Sequence, residues 1–300
     1  MDTADRKDMT RRLARAFRVT HGKKFRLGKI DPDDTDGIPS KQETEGLLKH
    51  GLEQLFELQE KLYAQGTWAV LVIVQAMDAA GKDSVVTHVM SGLNPQGCQV
   101  SSFKAPSAED LAHDFLWRTT RQLPPRGHIG VFNRSYYEEV LVARVHPEIL
   151  AAQGLPPAVV SPKIWKERFE DINAFERHLQ RSGVIVRKFF LHVSKKKQRE
   201  RFLERIEQPA KNWKFSRRDV EERASWRAYQ AAYEDMIRHT ATPDAPWYVV
   251  PADHKWFTHL VVAAALVESL KELELSFPTL DPAKRKDLEA ARKALQHEKG

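Results

Sequence analysis

Apolar residues recur along the chain with two different periods, and the alternation between them predicts its architecture. From Ser40 or Lys41 to about Gln65, Leu47, Leu48, Leu52, Leu55, Phe56, Leu58 and Leu62 fall at helical spacing, and Gly66-Thr67 ends the pattern. Trp68 to Val74 is then a β-branched apolar run of the kind buried on both faces of a sheet. Further strands are expected at 98–103, in the run that begins at His128 and passes into polar residues, at 184–193 and at 247–250. Helices are expected at 9–17, 83–90, 108–122, 161–182, 195–206, 221–240 and 256–273, with a basic connecting segment at 213–223. Strands thus alternate with helices about five times. That rhythm predicts an α/β three-layer sandwich, a central and about five-stranded parallel sheet between helix layers. Residues 1–39 read as a basic segment followed by the loop chemistry of Ile30 to Pro39. The tail after 275 is charged, and 281–300 form a helix or remain disordered.

Composition narrows this picture. With 41% apolar and 30% charged residues in 300, the chain is an ordinary globular protein able to bury a large core. Its longest apolar runs, near 68–74 and 260–267, are far shorter than a bilayer span, and the polar N-terminus has no secretory core, so neither membrane insertion nor export is expected. Cys98 stands alone; it fits a reducing cytoplasm and the role of a small buried apolar residue. The net charge of +7 is unevenly placed. Residues 181–218 hold 13 Lys/Arg against 3 Asp/Glu, leaving 35 against 38 elsewhere. A basic excess confined to one segment attracts a polyanion, namely nucleic acid, nucleotide or a phosphate chain, or else is a solvated face with ion pairs.

Candidate chemistry gathers at the strand ends. Between the strand at 68–74 and the helix after it lie Asp78-Ala79-Ala80-Gly81-Lys82. Strand, small-residue loop, lysine, helix is the layout in which backbone N–H groups and a mobile ammonium hold phosphate oxygens. Ala76 and Asp83 depart from the glycine and hydroxyl residue of the usual pattern, so an ordinary strand-to-helix turn stays open on this stretch alone. In a parallel sheet ligands bind at the carboxyl ends of strands. The rule adds Lys104, Asn133 to Glu138, and the helix beginning at Lys195. Lys82 would bind phosphate; Asp78 would ligate magnesium or orient the acceptor, or simply form a turn. Arg134 could clamp phosphate. Glu138 either opens a helix or faces a nucleotide. Arg201 and Arg205, at i and i+4, project from one helix face with Phe202 and Ile206 turned toward the sheet, and can fork onto phosphates or pair with Glu200 and Glu204. Lys211, Lys214, Arg217 and Arg218 lengthen the positive strip beyond one nucleotide. Asp219 is a further candidate metal or lid contact. The 12 histidines show no zinc pattern.

Four blocks in order, Asp78-Ala-Ala-Gly-Lys82, Phe132-Asn-Arg-Ser-Tyr-Tyr137, Lys188-Phe-Phe-Leu191 with Gln198, Arg201 and Arg205, and Trp213-Lys-Phe-Ser with Asp219, resemble the polyphosphate kinase 2 family. The resemblance runs from about Asp31 to Leu270. It implies a P-loop kinase-like fold with a catalytic domain at 40–275, a helical arginine-rich lid at about 195–223, and a tail at 276–300. It also implies Mg²⁺-dependent, reversible phosphate transfer between inorganic polyphosphate and ADP or AMP, with guanine nucleotides as further candidates, in a homodimer or homotetramer. Carried over by motif, Asp78 to Lys82 form the phosphate loop, Asn133, Arg134 and Glu138 meet the nucleotide, and Arg201 and Arg205 belong to the lid. Asn133 stands where aspartate is common in the family; with Glu138 it resembles the subgroup accepting both AMP and ADP. Two other readings make distinct predictions. An ATP-dependent nucleoside monophosphate kinase needs no polyphosphate. A nucleic-acid-binding protein would survive Lys82→Ala, but no recognition helix or RNA motif supports it.

Overall fold

A computed structural model describes residues 3–298. Six strands form one sheet: β1 (Arg18–Val19), β2 (Ala69–Ala76), β3 (Cys98–Ser102), β4 (Ile129–Asn133), β5 (Val184–His192) and β6 (Trp247–Pro251). Their order is β1-β6-β5-β2-β4-β3. Strands β2 to β6 pair in parallel, the five expected from the sequence; β1 is antiparallel to β6 at the edge. Two residues carry no readable period, so β1 was invisible to the pattern. The first strand of the alternation, β2, lies between β5 and β4 with all of its residues buried, as its unbroken apolar run requires.

Among the described residues eight helices have nine or more residues: α1 (Thr3–Ala16), α2 (Lys41–Gln65), α3 (Lys82–Met90), α4 (Ile164–Arg181), α5 (Lys195–Glu207), α6 (Trp226–Thr240), α7 (Lys255–Lys271) and α8 (Pro282–His297). Consecutive residues of β5 show the layers directly, because neighbouring side chains of a strand point to opposite faces. Arg187 reaches Ser269 of α7 and Glu272 just beyond it. Lys188 reaches Glu176 of α4 and Thr240 of α6. Helix α7 is apolar nearly all round because α1, α2 and α3 pack against it from outside. Residues ahead of 40 join the same core: Leu13, Phe17, Leu27 and Ile38 are buried, and Phe17 meets Phe257 edge-on at 5.7 Å.

The structure departs from the pattern where side chains compete with the helix for backbone groups. The helix expected over 108–122 is two single turns, Ala108–Leu111 and Trp117–Thr120. Asp114 Oδ1 accepts the Leu116 N–H at 2.9 Å, an Asx-type turn that interrupts it. The helix expected from 221 begins at Trp226, after a 3₁₀ turn at Glu222–Ser225. Ile206, expected to face the sheet, is half exposed, whereas Phe202 is buried. Helix α8 is exposed along its length, and Cys98 is only partly buried on edge strand β3. Among the described residues no helix is long and apolar enough to cross a membrane.

Candidate active site

The loop between β2 and α3 is a tight turn at the carboxyl end of the central strand. Ala79 takes φ +60° and Gly81 φ +116°, and Gly81 caps α3. Lys82 and Asp83 therefore stand in a helical first turn, whose N–H groups have no intrahelical acceptor. The Lys82 ammonium lies back across the loop, donating to Ala76 O at 2.7 Å and Met77 O at 3.3 Å, with Asp78 Oδ1 at 4.0 Å. Burial lowers its pKa and Asp78 opposes the shift. Ala80 is buried beneath the loop and contributes a carbonyl to its support rather than a surface.

The end of β4 delivers the second group. Arg134 turns into the left-handed region, φ +65°, and points its guanidinium at Asp78 Oδ1, 3.1 Å away; Glu138 lies 3.9 Å from its other nitrogen. Burial raises the pKa of Glu138, against the pull of Arg134 and Lys82. Gln75, oriented so that its amide nitrogen donates to Glu138 Oε1 at 2.9 Å, accepts from Ser135. Beneath this turn Tyr136 and Tyr137 both donate to Glu176 Oε1, at 2.9 and 2.7 Å, and Lys188 donates to Glu176 Oε2 at 2.6 Å. That fully buried ion pair fixes the backbone between Arg134 and Glu138. Removing one partner would leave an unpaired buried charge, a loss of about 3–5 kcal/mol. Asn133 donates to Asp83 Oδ1 at 2.9 Å. Two of the three positions that depart from the expected patterns thus meet each other, and an aspartate at 133 would face a second carboxylate here. Asp83 is a site residue that the sequence offered only as a mismatch.

Helix α5 and the segment after it supply the rest and separate the two arginines. Arg205 faces Asp219 at 3.5 Å. Arg201, expected to fork onto phosphate beside it, is buried and donates instead to four carbonyls: Ala79, Ala80, Ala252 and Asp253. Lys211 pairs with Glu204, and Lys214 lies over the exposed Trp213 ring at 4.9 Å. Lys104, whose carbonyl is held by Arg118 at 2.9 Å, approaches from the end of β3.

These groups enclose two cavities that meet. The first, about 540 Å³, is lined by the phosphate loop, Lys82, Asn133, Arg201, Arg205, Lys211, Lys214 and Lys255. The second, about 560 Å³, is walled by Leu111, Val142, Ile149, Tyr229 and Tyr233, with Glu138 and Glu139. Asp78, Phe103, Lys104, Ala105, Arg134 and Asp219 line both. None of the second cavity's apolar wall was singled out from the sequence. Asp78 and Asp219 are the carboxylates at the junction that could hold a divalent cation. Burial raises the pKa of Asp219 and Asp78 adds to the rise, while Arg205, Arg134 and Lys82 oppose it. Among the described residues no three acidic, histidine or cysteine side chains converge to hold a metal alone, so substrate oxygens would complete its shell.

Comparison with known proteins agrees with this fold. The pattern of the family described as polyphosphate kinase 2 (PPK2) matches residues 39–278. The chain is 52% identical to an ADP-polyphosphate phosphotransferase of Rhodopseudomonas palustris, over 93% of this chain and 97% of that protein. It is 43% identical to an AMP/ADP-polyphosphate phosphotransferase of Meiothermus ruber, over 90% and 97%. The crystal structure of polyphosphate kinase 2 from Arthrobacter aurescens TC1 superimposes with a TM-score of 0.84 at 39% identity, covering 93% of this chain and 96% of that one. A match over most of the length, shared by pattern, relatives and fold, means that this chain belongs to the polyphosphate kinase 2 family.

Proposed function

We propose that this chain is a polyphosphate:nucleotide phosphotransferase that takes the phosphate chain into the basic cavity and ADP or AMP into the apolar one. The observation that carries the reading is the junction: a polyanion site and a nucleoside-sized site share Asp78, Lys104, Arg134 and Asp219. A phosphate oxygen of the acceptor attacks the terminal phosphorus of the chain. The new P–O bond forms as the bridging P–O bond breaks, and the electron pair leaves on the shortened chain. An acceptor phosphate is already ionised at neutral pH, so no strong general base is needed. What the protein must supply is charge and alignment. Arg134 stands where the two ligands would meet, aimed by Asp78 and Glu138. Lys82 would exchange its loop carbonyls for phosphate oxygens, and Arg205, Lys104, Lys211 and Lys214 would hold the chain. Mg²⁺, held by Asp78 and Asp219, would neutralise phosphate charge when bound.

The relatives' names differ on the acceptor, one ADP and one AMP or ADP. We infer both for this chain, since Glu138 and Asn133 stand beside Arg134 where the acceptor phosphates would end. The test is an assay of purified protein with polyphosphate or ATP as donor and AMP, ADP or guanine nucleotides as acceptors. ATP made from ADP, polyphosphate and Mg²⁺ is the expected result. Phosphorylation of AMP from ATP with no response to polyphosphate would overturn the reading in favour of a nucleoside monophosphate kinase.

A further inference from the structure

A loop that offers its N–H groups to an anion turns its carbonyls the other way, and those carbonyls then need donors of their own. Glycines usually make such a backbone accessible. Here Ala79 stands at φ +60°, a region where a β-carbon is unfavourable, and Ala76 replaces the first glycine. Something outside the loop must hold it. Three consecutive carbonyls are taken by two residues of α5. Gln198 Nε2 donates to Asp78 O at 2.9 Å, and Arg201 Nη1 donates to Ala79 O at 3.0 Å and Ala80 O at 2.8 Å.

We propose that Gln198 and Arg201 are positioning residues that hold the alanine-containing phosphate loop in its anion-binding conformation from behind, rather than ligands of the phosphate chain. Arg201 is anchored on its other side: Nη2 donates to Ala252 O at 2.7 Å and Asp253 O at 3.1 Å, beyond β6. The Asp253 carboxylate accepts from Ser194, the N-cap of α5, through N at 2.8 Å and Oγ at 2.6 Å. The first turns of α5 are thus fixed between the loop and the β6–α7 turn. Four of the five N–H directions of Arg201 are in use, which leaves no two-pronged face for a ligand. Gln198 is equally committed. Its Oε1 accepts from Arg223 at 2.7 Å, so its amide nitrogen must face Asp78 O. Arg223 lines the second cavity. One amide therefore joins the backbone of the donor loop to a side chain of the acceptor site.

The inference rests on the phosphotransfer reading, and its test separates the two. Gln198→Glu keeps the acceptor for Arg223 but sets a carboxylate against Asp78 O; Gln198→Ala removes both bonds. Each is expected to weaken polyphosphate binding, measured by calorimetry without nucleotide, and to raise the KM for polyphosphate by about tenfold, the scale of one buried carbonyl losing its donor. In Gln198→Glu the KM for ADP should stay within about twofold. Adding Ala79→Gly, which adopts positive φ readily, should recover much of the lost polyphosphate affinity. Variants within twofold of the parent in polyphosphate affinity would overturn the clamp. So would equal losses for both substrates in Gln198→Glu, or no recovery with Ala79→Gly. If the parent makes no ATP from polyphosphate and ADP, the phosphotransfer reading fails, while the calorimetric comparison still decides the clamp.

Discussion

The cavity before the phosphate loop gathers eight lysines and arginines against four carboxylates, while its neighbour across Arg134 sets five against six and adds a wall of leucine, valine, isoleucine and tyrosine. The two are nearly equal in volume, about 540 and 560 Å³. A repeating polyanion offers charge but little distinctive shape, so side chains along one basic strip can hold it. A nucleoside offers a flat, largely apolar body that needs walls. Of the residues that line both cavities, Arg134, Lys104, Asp78 and Asp219 carry charge, and there charge would act on the transferring group.

This division can be broken from either side. The largest effect is expected at the junction and its loop. Lys82→Ala should lower kcat by about 10²–10³, the scale of losing one preorganised charge-stabilising donor, read from steady-state ATP formation. Next, Val142→Trp should fill the apolar cavity alone. The KM for ADP should rise about tenfold or more, while polyphosphate binding without nucleotide stays as it was; a matching loss of polyphosphate binding would show that the cavities are not separate. A smaller effect follows from removing charges of the basic strip. Lys211→Ala with Lys214→Ala should raise the KM for polyphosphate about three- to tenfold at low salt, with the difference shrinking as salt screens the strip.

The smallest effect is on stability and is read through acid. Behind the phosphate loop His259 Nε2 meets Ser84 Oγ at 3.0 Å, and its pKa is pushed down to about 4 by burial, with His88 and Lys255 adding. A group whose folded pKa lies below its unfolded value contributes full stability above about pH 6.5 and loses it as pH falls toward 4. The unfolding free energy should fall across that window, with a shallower slope in His259→Gln; identical slopes by urea titration would remove His259 from the account.

The sequence made one cavity far more legible than the other. The basic strip is contiguous, so Lys211, Lys214 and Arg205 could be read from a charge run, and strand rhythm placed Lys82 and Arg134 at strand ends. The apolar wall comes from Leu111, Val142, Ile149 and Tyr229, which lie in short turns and a distant helix with no common period. Spacing put Arg201 and Arg205 on one face of α5, but it could not tell that one would meet backbone carbonyls and the other Asp219. Asp83 was visible only as a departure until its partner Asn133 came within 2.9 Å.

If both cavities must be filled at once for transfer across Arg134, initial rates settle it most directly. Varying polyphosphate at several fixed ADP concentrations should give intersecting double-reciprocal lines, the signature of a ternary complex. Parallel lines, the signature of a phosphorylated enzyme formed before the acceptor binds, would contradict direct transfer between the two cavities.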